Sequence, residues 1–143
     1  MAIDKPHIFY GYSVVDSACS LTILAGTELH FHSNSGLWIY SGGKLFIDAN
    51  EQGDYSNPVI IQGDRLEPSY ENIPGQWGGL LGGIFIQSGS EAIIKNAVIK
   101  NATTAIRVDS TASVNPNLIL KNVQILNNSR VGLYCGYSNV NAE

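Results

Sequence analysis

Ten consecutive residues of this chain recur with the same pattern further along. Ala92-Ile93-Ile94-Lys95-Asn96-Ala97-Val98-Ile99-Lys100-Asn101 lays onto Leu118-Ile119-Leu120-Lys121-Asn122-Val123-Gln124-Ile125-Leu126-Asn127 at an offset of 26. One residue later the match resumes, with Ala105-Ile106 over Gly132-Leu133. A period in the twenties that carries about three short strands per unit is the signature of a parallel β-helix, in which no unit buries its apolar side alone. Coils of that kind stack at the interstrand spacing of ~4.8 Å. The repeat therefore predicts interior ladders of like residues, Ile94 over Leu120 and Ile99 over Ile125. Asn96 and Asn122, and likewise Asn101 and Asn127, fall at equivalent corners. Asparagine tolerates the left-handed backbone that a sharp corner demands, and stacked amides bond to one another along the axis.

The rest of the chain uses the same grammar. Leu21-Thr22-Ile23, Leu29-His30-Phe31, Leu37-Trp38-Ile39, Leu45-Phe46-Ile47, Val59-Ile60-Ile61 and Ile84-Phe85-Ile86 are short and rich in β-branched and aromatic residues. Gly, Asn, Ser or Asp bounds each of them, which is the pattern of strands and turns. Nowhere do apolar residues keep a helical period for three turns. The expected fold is all-β: one right-handed parallel β-helix over residues 1–143, with five to six coils at ~25 residues each. Residues 1–17 read as a lead-in, 18–62 as the first coils, 63–83 as an inserted loop and 84–143 as regular coils. The inserted segment is charged, aromatic and rich in Pro and Gly, and loops beyond ~12–15 residues in a compact domain are often functional. Val131-Gly132-Leu133-Tyr134-Cys135 reads as a strand, and Ser138 to Glu143 as the start of a further coil. That open end predicts a piece of a longer protein, or a chain capped by a partner.

Only 14% of the residues are charged, against ~25% in an average soluble domain. Asn, Ser and Gly at the turns supply the polarity that Lys and Glu supply on helical surfaces. The net charge is −4 and no Lys/Arg-rich stretch exists, so nucleic acid and anionic membrane surfaces are not expected partners. No apolar run reaches the ~18 residues of a membrane span, and the N-terminus has no basic region followed by an apolar core. Cys19 and Cys135 lack any CxxC spacing and read as small buried hydrophobes.

Leu21-Thr22-Ile23-Leu24-Ala25-Gly26-Thr27, Phe31-His32, Gly36-Leu37-Trp38-Ile39-Tyr40, Pro58-Val59-Ile60-Ile61-Gln62-Gly63-Asp64-Arg65 and Ile73-Pro74-Gly75-Gln76-Trp77 together resemble the right-handed parallel β-helix surface proteins of Bacteroidetes. These look like pectate-lyase-type solenoids in architecture. The resemblance spans nearly the whole chain, with the Gln-Gly-Asp-Arg and Ile-Pro-Gly-Gln-Trp segments as its specific part. It implies a fold and a secreted or cell-surface location, associated with the outer membrane, whose export signal is not present in this chain. It implies no chemistry.

The inserted loop carries the binding candidates. Asp64 and Arg65 read as an ion pair pinning its base. Arg65, Glu67, Tyr70 and Trp77 read alternatively as a saccharide platform, in which rings stack on a sugar and charged groups bond its hydroxyls. Trp77 reads equally as a cover tucked against the solenoid flank. Glu28, His30 and His32 alternate to one side of a strand while Leu29 and Phe31 take the other. His-x-His is a metal-ligand spacing, but no further ligand is identifiable, so no metal or other cofactor is expected. Acidic residues are scattered without the paired carboxylates of a glycosidase or the carboxylate cluster of a calcium-dependent lyase, so no catalytic residue is assigned. The expected function is a non-catalytic surface or secreted module, structural or glycan-contacting. A fragment of a carbohydrate-active enzyme is the alternative. A protein-interaction module is the third reading, because open ends of such a stack expose strand edges to another chain.

Overall fold

The computed structural model describes residues 5–65, 75–110 and 117–143. Among these residues the protein is all-β, with every named strand paired in parallel and no helix. The strands among them are β1 (His7–Phe9), β2 (Tyr12–Val15), β3 (Ser20–Ile23), β4 (Glu28–Phe31), β5 (Gly36–Ile39), β6 (Lys44–Ile47), β7 (Val59–Gly63), β8 (Ile84–Ile86), β9 (Glu91–Lys100), β10 (Thr104–Val108), β11 (Leu118–Leu126), β12 (Val131–Cys135) and β13 (Val140–Ala142).

Their pairing sorts into three columns. The first contains β3, β6, the opening halves of β9 and β11, and β13. The second contains β1, β4, β7 and the closing halves of β9 and β11. These two share an eight-stranded sheet, while β2, β5, β8, β10 and β12 make a separate five-stranded sheet as the third column. The chain visits the columns in turn, so each passage through the three adds one strand to each. This arrangement is compatible with the expected solenoid.

Register follows the repeat: Ala92 pairs with Leu118, Ile94 with Leu120 and Ile99 with Ile125, and in the third column Ile106 pairs with Leu133. Asn96 and Asn122 adopt φ of 45° and 53°, and the Asn122 amide donates to Asn96 Oδ1 at 3.2 Å. Asn101 and Asn127 are left-handed as well, at 66° and 52°. The paired Lys95 and Lys121 are not merely solvated, because Glu51 bridges them at 2.7 and 2.9 Å.

Inward-facing residues alternate along every column. Ile23, Leu29, Leu37, Ile39, Leu45, Ile47, Ile61, Ile84, Ile86 and Ile94 are completely buried. Inside the second column's corner Phe9, Phe31 and Trp77 stack, with ring centroids 4.8 and 4.7 Å apart, close to the ~4.8 Å rise between strands.

Several expectations need correcting. Residues read as a lead-in already contribute β1 and β2, which pair with β4 and β5. Cys19 and Cys135 are exposed free thiols rather than core residues, because their side chains fall at the two ends of the stack. Residues 48–58 form an excursion that reads in the sequence as ordinary coil. Asp48, 4% exposed, anchors it by accepting from the backbone N–H of Gln52 and Gly53 and from the Asn96 amide. Tyr55 extends the excursion to a further strand level through its hydroxyl on Asn122.

Candidate ligand-binding face

In the third column, strands with buried first and third residues leave their middle residue pointing outward. Leu37 and Ile39 are buried around Trp38, Ile84 and Ile86 around Phe85, and Ile106 and Val108 around Arg107. Pairing puts these middle residues in one line: Val14 with Trp38, Trp38 with Phe85, Phe85 with Arg107, and Arg107 with Tyr134. One stripe of rings and a guanidinium therefore runs along the stack.

Neighbours fix its geometry. The Trp38 indole N–H donates to Gln87 Oε1 at 3.0 Å, and its ring lies 5.0 Å from Tyr40 and 5.7 Å from Phe85. Arg107 places its guanidinium carbon 5.0 Å from the centre of the Phe85 ring and 6.0 Å from that of Tyr134. Both are cation–π distances. Asp109 approaches one terminal nitrogen of Arg107 at 3.5 Å. Tyr40 and Tyr134 remain 40% and 49% exposed, so each offers a ring to solvent while Phe85 is covered between its neighbours.

A hollow of about 220 Å³ opens beside this stripe, lined by Leu80, Gly82, Thr104, Arg107 and Tyr134. Its far wall is the turn from Gly79 to Gly82, closed by the Gly82 N–H donating to the Gly79 carbonyl at 3.0 Å. Tyr12 ties that turn down by donating its hydroxyl to the Gly82 carbonyl at 2.8 Å, and burial pushes its phenol above the ordinary tyrosine range. Gly82 has φ of 95° and lies against Arg107, where a side chain would meet Arg107 Cβ at 3.3 Å.

The residues singled out in the sequence take different places. Trp77 is 1% exposed, donates its indole N–H to the Lys100 carbonyl at 2.8 Å and bridges its backbone to Ala102. Its ring stacks on Phe31 and lies against Gly83, so Trp77 is a core residue and not part of a saccharide platform. Asp64 and Arg65 meet through His32 rather than directly: Asp64 Oδ2 lies 2.7 Å from His32 Nδ1, and Arg65 Nη2 lies 3.3 Å from His32 Nε2. Tyr10 packs over the same imidazole at 4.8 Å. Glu67 and Tyr70 lie outside the described residues. His30 turns to Glu28 at 3.3 Å while His32 turns to Asp64, so Glu28, His30 and His32 do not converge. Among the described residues no group of three or more His, Cys, Asp and Glu side chains is placed to hold a metal, and no helix is long and apolar enough to cross a membrane.

No protein-family model matches the chain, and neither does any curated protein or solved structure. The sequence signal for the third-column face was present in the central residues of Leu37-Trp38-Ile39, Ile84-Phe85-Ile86, Ile106-Arg107-Val108 and Leu133-Tyr134-Cys135. Seen one strand at a time, the bulky middle residues count as core.

Proposed function

We propose that the protein is a right-handed parallel β-helix that acts as a non-catalytic, secreted or cell-surface module contacting glycans along its third column. The observation that carries this reading is the outward, in-register stripe of Trp38, Phe85, Arg107 and Tyr134, flanked by Tyr40, Gln87 and Asp109. Aromatic faces stack on the C–H side of sugar rings, and adjacent polar side chains take the hydroxyls. The rise of ~4.8 Å between strands is close to the length of one pyranose unit in an extended glycan, so successive sugars meet successive levels. The surface location rests on the resemblance to Bacteroidetes β-helix proteins.

A glycan array followed by titration calorimetry tests the reading. Trp38→Ala and Tyr134→Ala are expected to weaken the best glycan about 3- to 10-fold each, roughly the loss of one good stacking contact, with unchanged circular dichroism. Absence of any glycan ligand, or affinity indifferent to both substitutions, refutes glycan contact at this face. Release of unsaturated products from polyuronides would overturn the non-catalytic assignment.

A further inference from the structure

We propose that the hollow beside Arg107 is a subsite for the acidic group of a glycan, a carboxylate or a sulfate ester. This inference rests on the reading of the third column as a glycan-contacting face, and adds the chemical class of the ligand.

The argument starts from how Arg107 is held. Among the described residues Phe85 and Tyr134 hold its guanidinium by their rings, at 5.0 and 6.0 Å, rather than by hydrogen bonds. Its acidic neighbour Asp109 stands at 3.5 Å, well beyond the ~2.7–2.9 Å of a charge-assisted bond. The Arg107 Nε is shielded from solvent and has no acceptor among the described residues. A guanidinium so placed is preorganised but short of acceptors, and because its Nε is shielded, a ligand would meet the exposed part of the side chain. A carboxylate or sulfate brings the oxygens that such a planar fork binds best. The side chain is 35% exposed and lines the hollow. Thr104 lines the hollow, and Leu80, 98% exposed, forms an apolar rim. Tyr134 on one side of the charge and Trp38, beyond the covered Phe85, on the other continue the aromatic stripe, which favours an acidic sugar within a chain over a free anion.

The test compares affinities for hexameric galacturonan and for its methyl ester, and for a sulfated galactan and its desulfated form, at low and high salt. Wild-type protein is expected to prefer one acidic member over its neutral counterpart about 10- to 100-fold, the range of a hydrogen bond to a charged group. The preference should shrink with salt. Arg107→Gln is expected to bring that ratio close to one, Arg107→Lys to leave it intermediate, and circular dichroism to remain unchanged in both. The carboxylate and sulfate pairs tell the two sources of charge apart. Equal binding of acidic and neutral forms by wild-type protein overturns the subsite while leaving glycan contact standing. A preference that survives Arg107→Gln overturns it as well. Polyglutamate bound as tightly as the acidic glycan also overturns it, in favour of an acidic peptide. Failure to bind any member of either pair or of a wider array removes the glycan reading itself.

Discussion

Replacing Trp77 by alanine asks whether this residue holds the fold or serves a ligand. Trp77 is buried, stacked on Phe31 at 4.7 Å, and bonded through its indole N–H to the Lys100 carbonyl. Truncating such a residue typically costs about 3–5 kcal/mol, and the carbonyl left behind loses its partner inside the core. A loss of about 4 kcal/mol, divided by a urea slope of about 2 kcal/mol/M, lowers the unfolding midpoint by about 2 M. Trp77→Phe keeps one ring in the stack but gives up the N–H and part of the ring volume, so it should cost about 2–3 kcal/mol, less than alanine. The chain has two tryptophans, and removing Trp77 leaves Trp38 on the outer face as a fluorescence probe. Its signal can be compared with far-ultraviolet circular dichroism through the same titration. A midpoint unchanged to within 0.5 M in Trp77→Ala, about 1 kcal/mol at that slope, would refute the core assignment. Glycan affinity lost at full stability would return Trp77 to the binding surface.

Other perturbations probe the corners and the outer contacts. Ala18 adopts φ of 60° at the turn where Gly42 and Gly89 sit at 82° in the following levels, and its N–H donates to the Gly42 carbonyl. Ala18→Gly should therefore raise stability by about 1 kcal/mol in urea unfolding, and a decrease would show that the turn is not strained. Glu51, bridging Lys95 and Lys121, has its carboxyl held down at about 2, chiefly by the hydrogen bonds from those two ammonium groups. The folded value lies below the unfolded one, so its contribution is full above about pH 4.5 and is lost as pH falls towards 2. Glu51→Gln should flatten stability over that acid window, most visibly at low salt. An identical acid profile in wild type and variant would rule the bridge out as a contributor. Asn122→Ala loses both the amide bond to Asn96 and the contact from Tyr55, and strains a left-handed corner. Asn122→Gly retains the corner alone, so the alanine variant should be less stable by about 1 kcal/mol, and the reverse order would contradict the corner assignment.

Much of this fold is legible in the sequence. The offset between Ala92 and Leu118 is the pairing register, and the asparagines at its corners are left-handed as their side chains permit. Alternation correctly sent Leu29 and Phe31 inward and Glu28 and His30 outward. Residues that depend on distant levels were read less well. Trp77 lies between two glycine-rich segments in a stretch that looks like exposed loop, yet its position is decided by Phe31, forty-six residues earlier, and by Lys100. Asp64 and Arg65 look like a local pair until His32 from the preceding level stands between them.

The sequence by itself determined the strands, their corners and the repeat, because backbone preference and alternation act over a few residues. Which middle residues share a stripe was decided only by stacking. Trp38, Phe85, Arg107 and Tyr134 are brought together across separations of 47, 22 and 27 residues, since the excursions between strands set their own length while parallel hydrogen bonding sets the register. A periodic search finds the regular interval of 26 and passes over the unequal ones. The face proposed to bind glycans is built from those unequal intervals.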